Sequence, residues 1–329
     1  MSSTPTNQPL SVAPPPSRVR KVFFGANGIR SGWRFLIFVL LLVTCLTAVR
    51  LGLMHIPPIA PLFAEAMKGT LTPGFEFIFE STAIAALFGV TFLMARIEKR
   101  PFRQYGLPRK GAFGKLFWQG VVWGLAFMSI EIFAIYALHG FSFGSLAIVG
   151  FELVRYAMAW AVGFVLVGIF EEFTFRGYAQ FVLSEGIGFW PAAFLLSASF
   201  GAVHLQNPGE DWVGALSVTV FGLFACFTLR RTGSLWFAVG FHAAGDFAET
   251  FLYSVPDSGM LAKGHLLNSN LHGPRWLTGG TIGPEGSVFG FLLFLVAFVI
   301  FAWLYPPVKP ENPLIEPTPQ PAASSAPTL

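Results

Sequence analysis

Phe170-Glu171-Glu172-Phe173-Thr174-Phe175-Arg176-Gly177 closes an apolar run, Ala157 to Ile169, that holds no charged residue. A charge at the centre of a membrane helix costs about 3 kcal/mol or more, so two adjacent carboxylates at the end of such a run mark a functional position. Helical spacing sets Arg176 one turn after Glu172 on the same face, where the two can pair. Glu171 projects from a different face and has no obvious charge partner.

The surroundings of this stretch are apolar almost throughout. The chain has 329 residues, of which 54% are hydrophobic, 16% aromatic and only 12% charged, and its mean hydropathy is +0.63. Soluble domains carry roughly twice that charged fraction. Continuous apolar runs of about 20 residues predict membrane-spanning helices. A β-barrel would alternate in polarity instead. The reading is an all-α polytopic membrane protein with eight spans, at about 33–53, 75–95, 115–138, 153–184, 189–205, 212–229, 234–253 and 287–305. Basic residues orient them. Arg96, Lys99, Arg100, Arg103, Arg109, Lys110 and Lys115 lie between the second and third spans, and Arg230 and Arg231 between the sixth and seventh. These connections are expected in the cytoplasm with both termini, and the intervening ones outside. The net charge of +4 therefore has a topological role and implies no nucleic-acid partner. Cys45 and Cys226 both fall in apolar runs, which argues against a disulfide or zinc-finger framework.

Residues 1–32 read as a disordered cytoplasmic tail, with Pro14, Pro15 and Pro16 followed by Arg18, Arg20, Lys21 and Arg30. N-terminal membrane helices follow over 33–145, then a four-helix catalytic core over 146–253. A Pro-, Gly- and Asn-bearing loop over 254–286 is expected as an external cap, before the last span at 287–305. The remainder, 306–329, reads as a second disordered tail.

Four of the six histidines, His55, His139, His265 and His272, fall in loops or at span ends; His204 and His242 fall within spans. Glu171 and His204 each lie roughly 20 Å from the turn between the fourth and fifth spans, at matching depth. His242 lies roughly 13 Å in from the turn before its own span, with Asp246 one helical turn further on the same face. A carboxylate without a fixed counter-ion in a partly dry cavity suits general-base work on water. A neighbouring imidazole can share that water, and a second histidine with a partner one turn on can stabilise an oxyanion. Together these describe amide hydrolysis inside the membrane. The same Glu171, His204, His242 and Asp246 are also a plausible divalent-metal set, zinc for example, so a metal cofactor stays open. No serine or cysteine stands in a comparable setting.

Glu171-Glu172-x-x-x-Arg176, Phe200-x-x-x-His204 and His242-x-x-x-Asp246, with Arg231-Thr232-Gly233-Ser234-Leu235-Trp236 before the third, resemble the signature of the CPBP family of intramembrane proteases. That family contains the type II CAAX prenyl proteases and bacteriocin-processing and self-immunity proteins. The resemblance covers about residues 155–250. It implies a helical core with its site opening toward the cytoplasm, Glu171 as the base that activates water, and His204 assisting. It implies structural support from Glu172 and Arg176, and His242 with residue 246 facing the oxyanion. The family commonly has Asn at that last position, where this chain has Asp246. Asp donates a hydrogen bond only when protonated.

The expected function is thus an intramembrane endopeptidase acting on a membrane-associated substrate, a prenylated CAAX-type one included, in a bacterial cytoplasmic membrane. The alternative is a non-catalytic relative serving as a membrane scaffold or as an immunity or regulatory protein. A proton-relaying transporter comes third, since no duplicated half is visible. Among the remaining charges, Glu131 reads as an interhelical hydrogen-bonding residue. Glu76 and Glu80 read as interfacial or snorkelling groups, Glu152 as the partner of Arg155, and Glu249 as a minor neighbour of the site.

Overall fold

The computed structural model describes residues 22–25 and 28–307; the tail features at Pro14–Pro16, Arg18, Arg20 and Lys21, and residues 308–329, lie outside the described residues. Helices dominate: α1 (Ser31–Met54), a short α2 (Ala60–Ala66), α3 (Pro73–Ile97), α4 (Lys115–Ala137), α5 (Gly150–Arg176), α6 (Tyr178–Ile187), α7 (Phe189–His204), α8 (Trp212–Thr232), α9 (Trp236–Asp246), α10 (Arg275–Thr278) and α11 (Val288–Leu304). A π-helical turn, Phe247–Leu252, prolongs α9.

Local sequence fixes several of these boundaries. Thr72 accepts from the Phe75 amide at 3.2 Å and Pro73 takes the first position of α3. Asp211 caps α8 through the Val213 amide at 2.8 Å, and Gly233 ends that helix in the left-handed region. Ser287 caps α11 through the Phe289 amide at 3.1 Å.

The fourth expected span differs from the reading. It is not one helix: at Gly177 the backbone leaves the helical region (ψ −122°), and α6 restarts at Tyr178. Five segments are long and apolar enough to cross a membrane by length and composition: Ser31–Met54, Pro73–Ile97, Lys115–Ala137, Gly150–Ile187 and Trp212–Thr232. Phe189–His204 and Val288–Leu304 are apolar but shorter. Side chains such as Leu40, Phe92, Val122, Leu295, Val299 and Trp303 project outward from the bundle, as lipid-facing residues do. The chain is an all-α multi-pass membrane protein.

The connections segregate to two ends. At the basic end, Leu235 N–H donates to Gly106 O at 2.8 Å and the Trp236 indole to Pro108 O at 3.1 Å. Arg34 pairs with Glu98 at 2.7 Å and also with Glu185, which Arg100 pairs with in turn. Arg231 donates to Tyr305 O at 3.0 Å, so α1 begins and α11 finishes at this same end. At the opposite end Thr70–Leu71 pairs in parallel with Leu261–Ala262, and Phe141–Ser142 pairs antiparallel with Asn270–Leu271. The 254–286 loop is thereby stitched across the neighbouring connections as a cap.

Candidate active site

Close backbone packing seats α9. Gly120 and Gly124 of α4 face the carbonyls of Phe237 and Phe241, and Gly240 of α9 faces Phe117 O; a Cβ at any of the three would overlap those atoms. Small residues let two membrane helices approach backbone to backbone. This contact presents His242 toward α5.

The His242 ring sits among three carboxylates. Its Nδ1 lies 2.9 Å from Glu172 Oε1. Its Nε2 lies 3.5 Å from Glu171 Oε2 and 3.5 Å from Asp246 Oδ2. Because Glu172 accepts, Nδ1 carries the hydrogen and Nε2 is the ring atom turned to the other two acids. Glu171, expected without a charge partner, thus has one on a neighbouring helix. Adjacent residues on α5 project differently, so Glu172 holds the imidazole from behind while Glu171 and Asp246 flank its free edge.

Arg176 completes the support. Its Nη1 is 3.5 Å from Glu172 Oε1, and both side chains are fully buried. The guanidinium also lies 4.3 Å from the centre of the Phe200 ring. Gly222 on α8 leaves the space it needs: a Cβ there would overlap Arg176 Nη2 and the Ser197 side chain.

His204 ends α7. Its Nδ1 lies 2.8 Å from Phe200 O, so that carbonyl takes the Nδ1 hydrogen and leaves Nε2 with the lone pair. The Phe200 ring touches it edge-on, with centroids 4.7 Å apart. Glu171, His204, His242 and Asp246 all line one cavity of about 890 Å³, which α1 walls with Phe38, Leu42 and Leu46 on one side and α7 with Leu196, Phe200 and Val203 on another. Within it the other two polar groups of the motifs, Glu172 and Arg176, stay behind the wall.

The cavity reaches the capped end, where Met67, Pro208, Asp257, Ser258 and Met260 line it, and extends along α1 past Leu42 to Val39, Phe38 and Phe35. α7 runs from the basic end and finishes at His204, beside the cap, where Asn207 donates to Ser258 O at 3.0 Å.

Several acids also depart from the sequence reading. Glu76 and Glu80, expected at the interface, are buried on the cavity wall, Glu76 against Gly163 of α5. Glu249 is buried on the same wall, and the cap supplies Asp257 and Glu285. Burial raises the Asp257 and Glu285 carboxyls above their ordinary range, with the Thr250 hydroxyl opposing this at Asp257. No sequence motif marked these cap residues; the only signal was acidic side chains in a loop otherwise poor in charge. Glu131, expected to hydrogen-bond between helices, lies against Gly290 in the first turn of α11, and neither of its carboxylate oxygens has a side-chain partner among the described residues. Glu152 pairs with Arg155 at 2.8 Å.

Among the described residues no group of three or more His, Cys, Asp or Glu side chains is arranged to hold a metal ion.

Residues 153–248 match the family model described as Type II CAAX prenyl endopeptidase Rce1-like. No curated protein and no solved structure matches the chain.

Proposed function

Residues 153–248 carry a domain of the CPBP family of CAAX-type proteases, and we propose that this chain is an intramembrane endopeptidase whose Glu171 activates the attacking water. The observation that carries the reading is the meeting of Glu171, Glu172 and Asp246 on His242, at 2.9–3.5 Å, inside a cavity also lined by His204.

Each group has a step. Glu171 takes a proton from a water molecule as its oxygen attacks the scissile carbonyl. The carbonyl oxygen becomes an oxyanion. His242, when protonated, donates to it through Nε2–H, its ring held by Nδ1–H to Glu172. Asp246 as a carboxylate steadies the same Nε2 from within α9. His204, with its lone pair on Nε2, relays the proton to the leaving amine, and the tetrahedral centre collapses to a carboxylate and a free amine. Arg176 touches no reacting atom; it positions Glu172.

The substrate is a membrane-associated peptide or protein, a prenylated CAAX-type chain included. The apolar wall supplied by α1 and the outward apolar faces of the bundle support a substrate delivered from the bilayer. The membrane is the bacterial cytoplasmic one, with the basic end and both termini in the cytoplasm.

The test is cleavage of a mixed pool of lipidated and unlipidated membrane peptides by the detergent-solubilised protein, read by mass spectrometry. New termini that disappear with a folded Glu171→Gln variant support the reading. Identical products from both proteins contradict it. Unchanged peptides in both, for the pool and for candidate native partners alike, favour the non-catalytic relative, which the atypical Asp246 also suits.

A further inference from the structure

The carboxylates of this protein are distributed unevenly. Glu65, Glu98, Glu152, Glu185 and Asp211 each form an ion pair with lysine or arginine, and Glu172 pairs with buried Arg176. Glu76, Glu80, Glu131, Glu249, Asp257 and Glu285 form no ion pair among the described residues, and all six line the same cavity; Glu210, likewise without an ion pair, lies outside it. The pattern extends to hydrogen bonds. Glu80, 5% exposed, and Glu249, 3% exposed, each present an oxygen with no hydrogen-bond partner, and so does Glu285. Buried polar atoms are nearly always satisfied, and each exception asks for an explanation. His242 does not supply it, being already engaged by Glu171, Glu172 and Asp246.

We propose that the cavity contains a subsite for a cationic side chain of the substrate, formed by Glu249, Asp257 and Glu285 beside the Glu171–His242 centre. This deepens the peptidase reading and rests on it. The three acids reach the cavity from separate segments: Glu249 from the π-helical turn after α9, and Asp257 and Glu285 from the two ends of the cap. Asp257 is oriented by the Thr250 hydroxyl, which donates to its Oδ2 at 2.7 Å. Glu249 follows Asp246 by less than one turn and lines the same cavity as Glu171 and His242. The planar fork of an arginine suits carboxylates presented from separate segments. The preferred substrate therefore carries a lysine or arginine close to the cleaved bond.

The experiment uses the full chain in phosphatidylcholine nanodiscs, whose zwitterionic lipid contributes no net charge. The probes are fluorescein-labelled decapeptides carrying one arginine at successive positions, and a matched set with citrulline, its neutral isostere. Anisotropy gives affinity and mass spectrometry gives cleavage. At one or two adjacent positions arginine binds about tenfold more tightly than citrulline. That ratio falls toward one in Glu249→Gln and in Glu285→Gln, two variants on different segments, so misfolding of one leaves the other to decide. Equal affinities at every position overturn the subsite, undetectable binding included; that is the result if these carboxyls keep their protons. A preference unchanged in both folded variants overturns the assignment to these residues. Arginine-selective binding without cleavage counts against the peptidase reading alone, whereas cleavage indifferent to arginine counts against the subsite alone.

Discussion

Glu172→Gln is expected to destabilise this protein more than Arg176→Met, although both break the same ion pair. Glu172 and Arg176 are fully buried, with Nη1 3.5 Å from Oε1. Removing one partner of a buried pair costs roughly 3–5 kcal/mol, because it strands the other charge. The two losses differ in what remains. In Arg176→Met the carboxylate keeps His242 Nδ1 at 2.9 Å. In Glu172→Gln the guanidinium keeps the Phe200 ring at 4.3 Å, a contact worth about 2 kcal/mol when desolvated, and an amide in place of its counter-ion. At about 2–4 °C per kcal/mol, Glu172→Gln lowers Tm by roughly 10 °C or more, and Arg176→Met by less. The double variant leaves no stranded charge and loses less than the sum. Intrinsic tryptophan fluorescence in detergent, scanned at one fixed rate, reads all four proteins. An Arg176→Met loss larger than that of Glu172→Gln, or strict additivity in the double variant, would refute the reasoning.

Other outcomes follow from the same geometry. Gly222→Ala pushes a Cβ into Arg176 and Ser197 and costs about 1–3 kcal/mol, seen as a lowered Tm together with reduced cleavage. Burial holds the Glu210 carboxyl at about 7, with Asp211 nearby and Arg275 opposing. A raised carboxyl keeps its proton in the folded state, so this group's contribution to stability falls as pH rises from about 4.5 to 7; Glu210→Gln removes that slope in Tm measured across the interval. A cysteine at Asn268, in the cap beside Ser145, reacts with a membrane-impermeant maleimide in intact cells, and one at Lys110 does not. The reverse labelling would place the cap in the cytoplasm and the basic end outside.

The helices were legible because each apolar run is bounded by charge, glycine or proline, and the eight runs correspond to α1, α3, α4, α5 with α6, α7, α8, α9 with its π-helical turn, and α11. The Glu172–Arg176 pair was legible for a similar reason: it obeys the spacing of a single helix. What helical spacing could not supply was contact between helices. The hydrogen bond from His242 to Glu172 depends on the glycine contacts that bring α9 against α4 and set its angle to α5. The depth of Glu76 depended likewise on a contact between helices, with Gly163 of α5, and the two-residue strand pairs of the cap carry no pattern that spacing reveals. Distance along a helix put His204 and Glu171 at matching depth, and both line one cavity.

The central claim is that Glu171 performs the chemistry while Glu172 and Arg176 hold its surroundings. Its most direct measurement is kcat/KM for one identified membrane peptide, with wild-type protein and Glu171→Gln compared at matched folded fraction. A loss of about 10²–10⁴-fold is expected, the usual contribution of a positioned general base, with Tm close to wild type. A Glu171→Gln protein that cleaves within about threefold of wild type would contradict it, a difference below 1 kcal/mol in transition-state stabilisation.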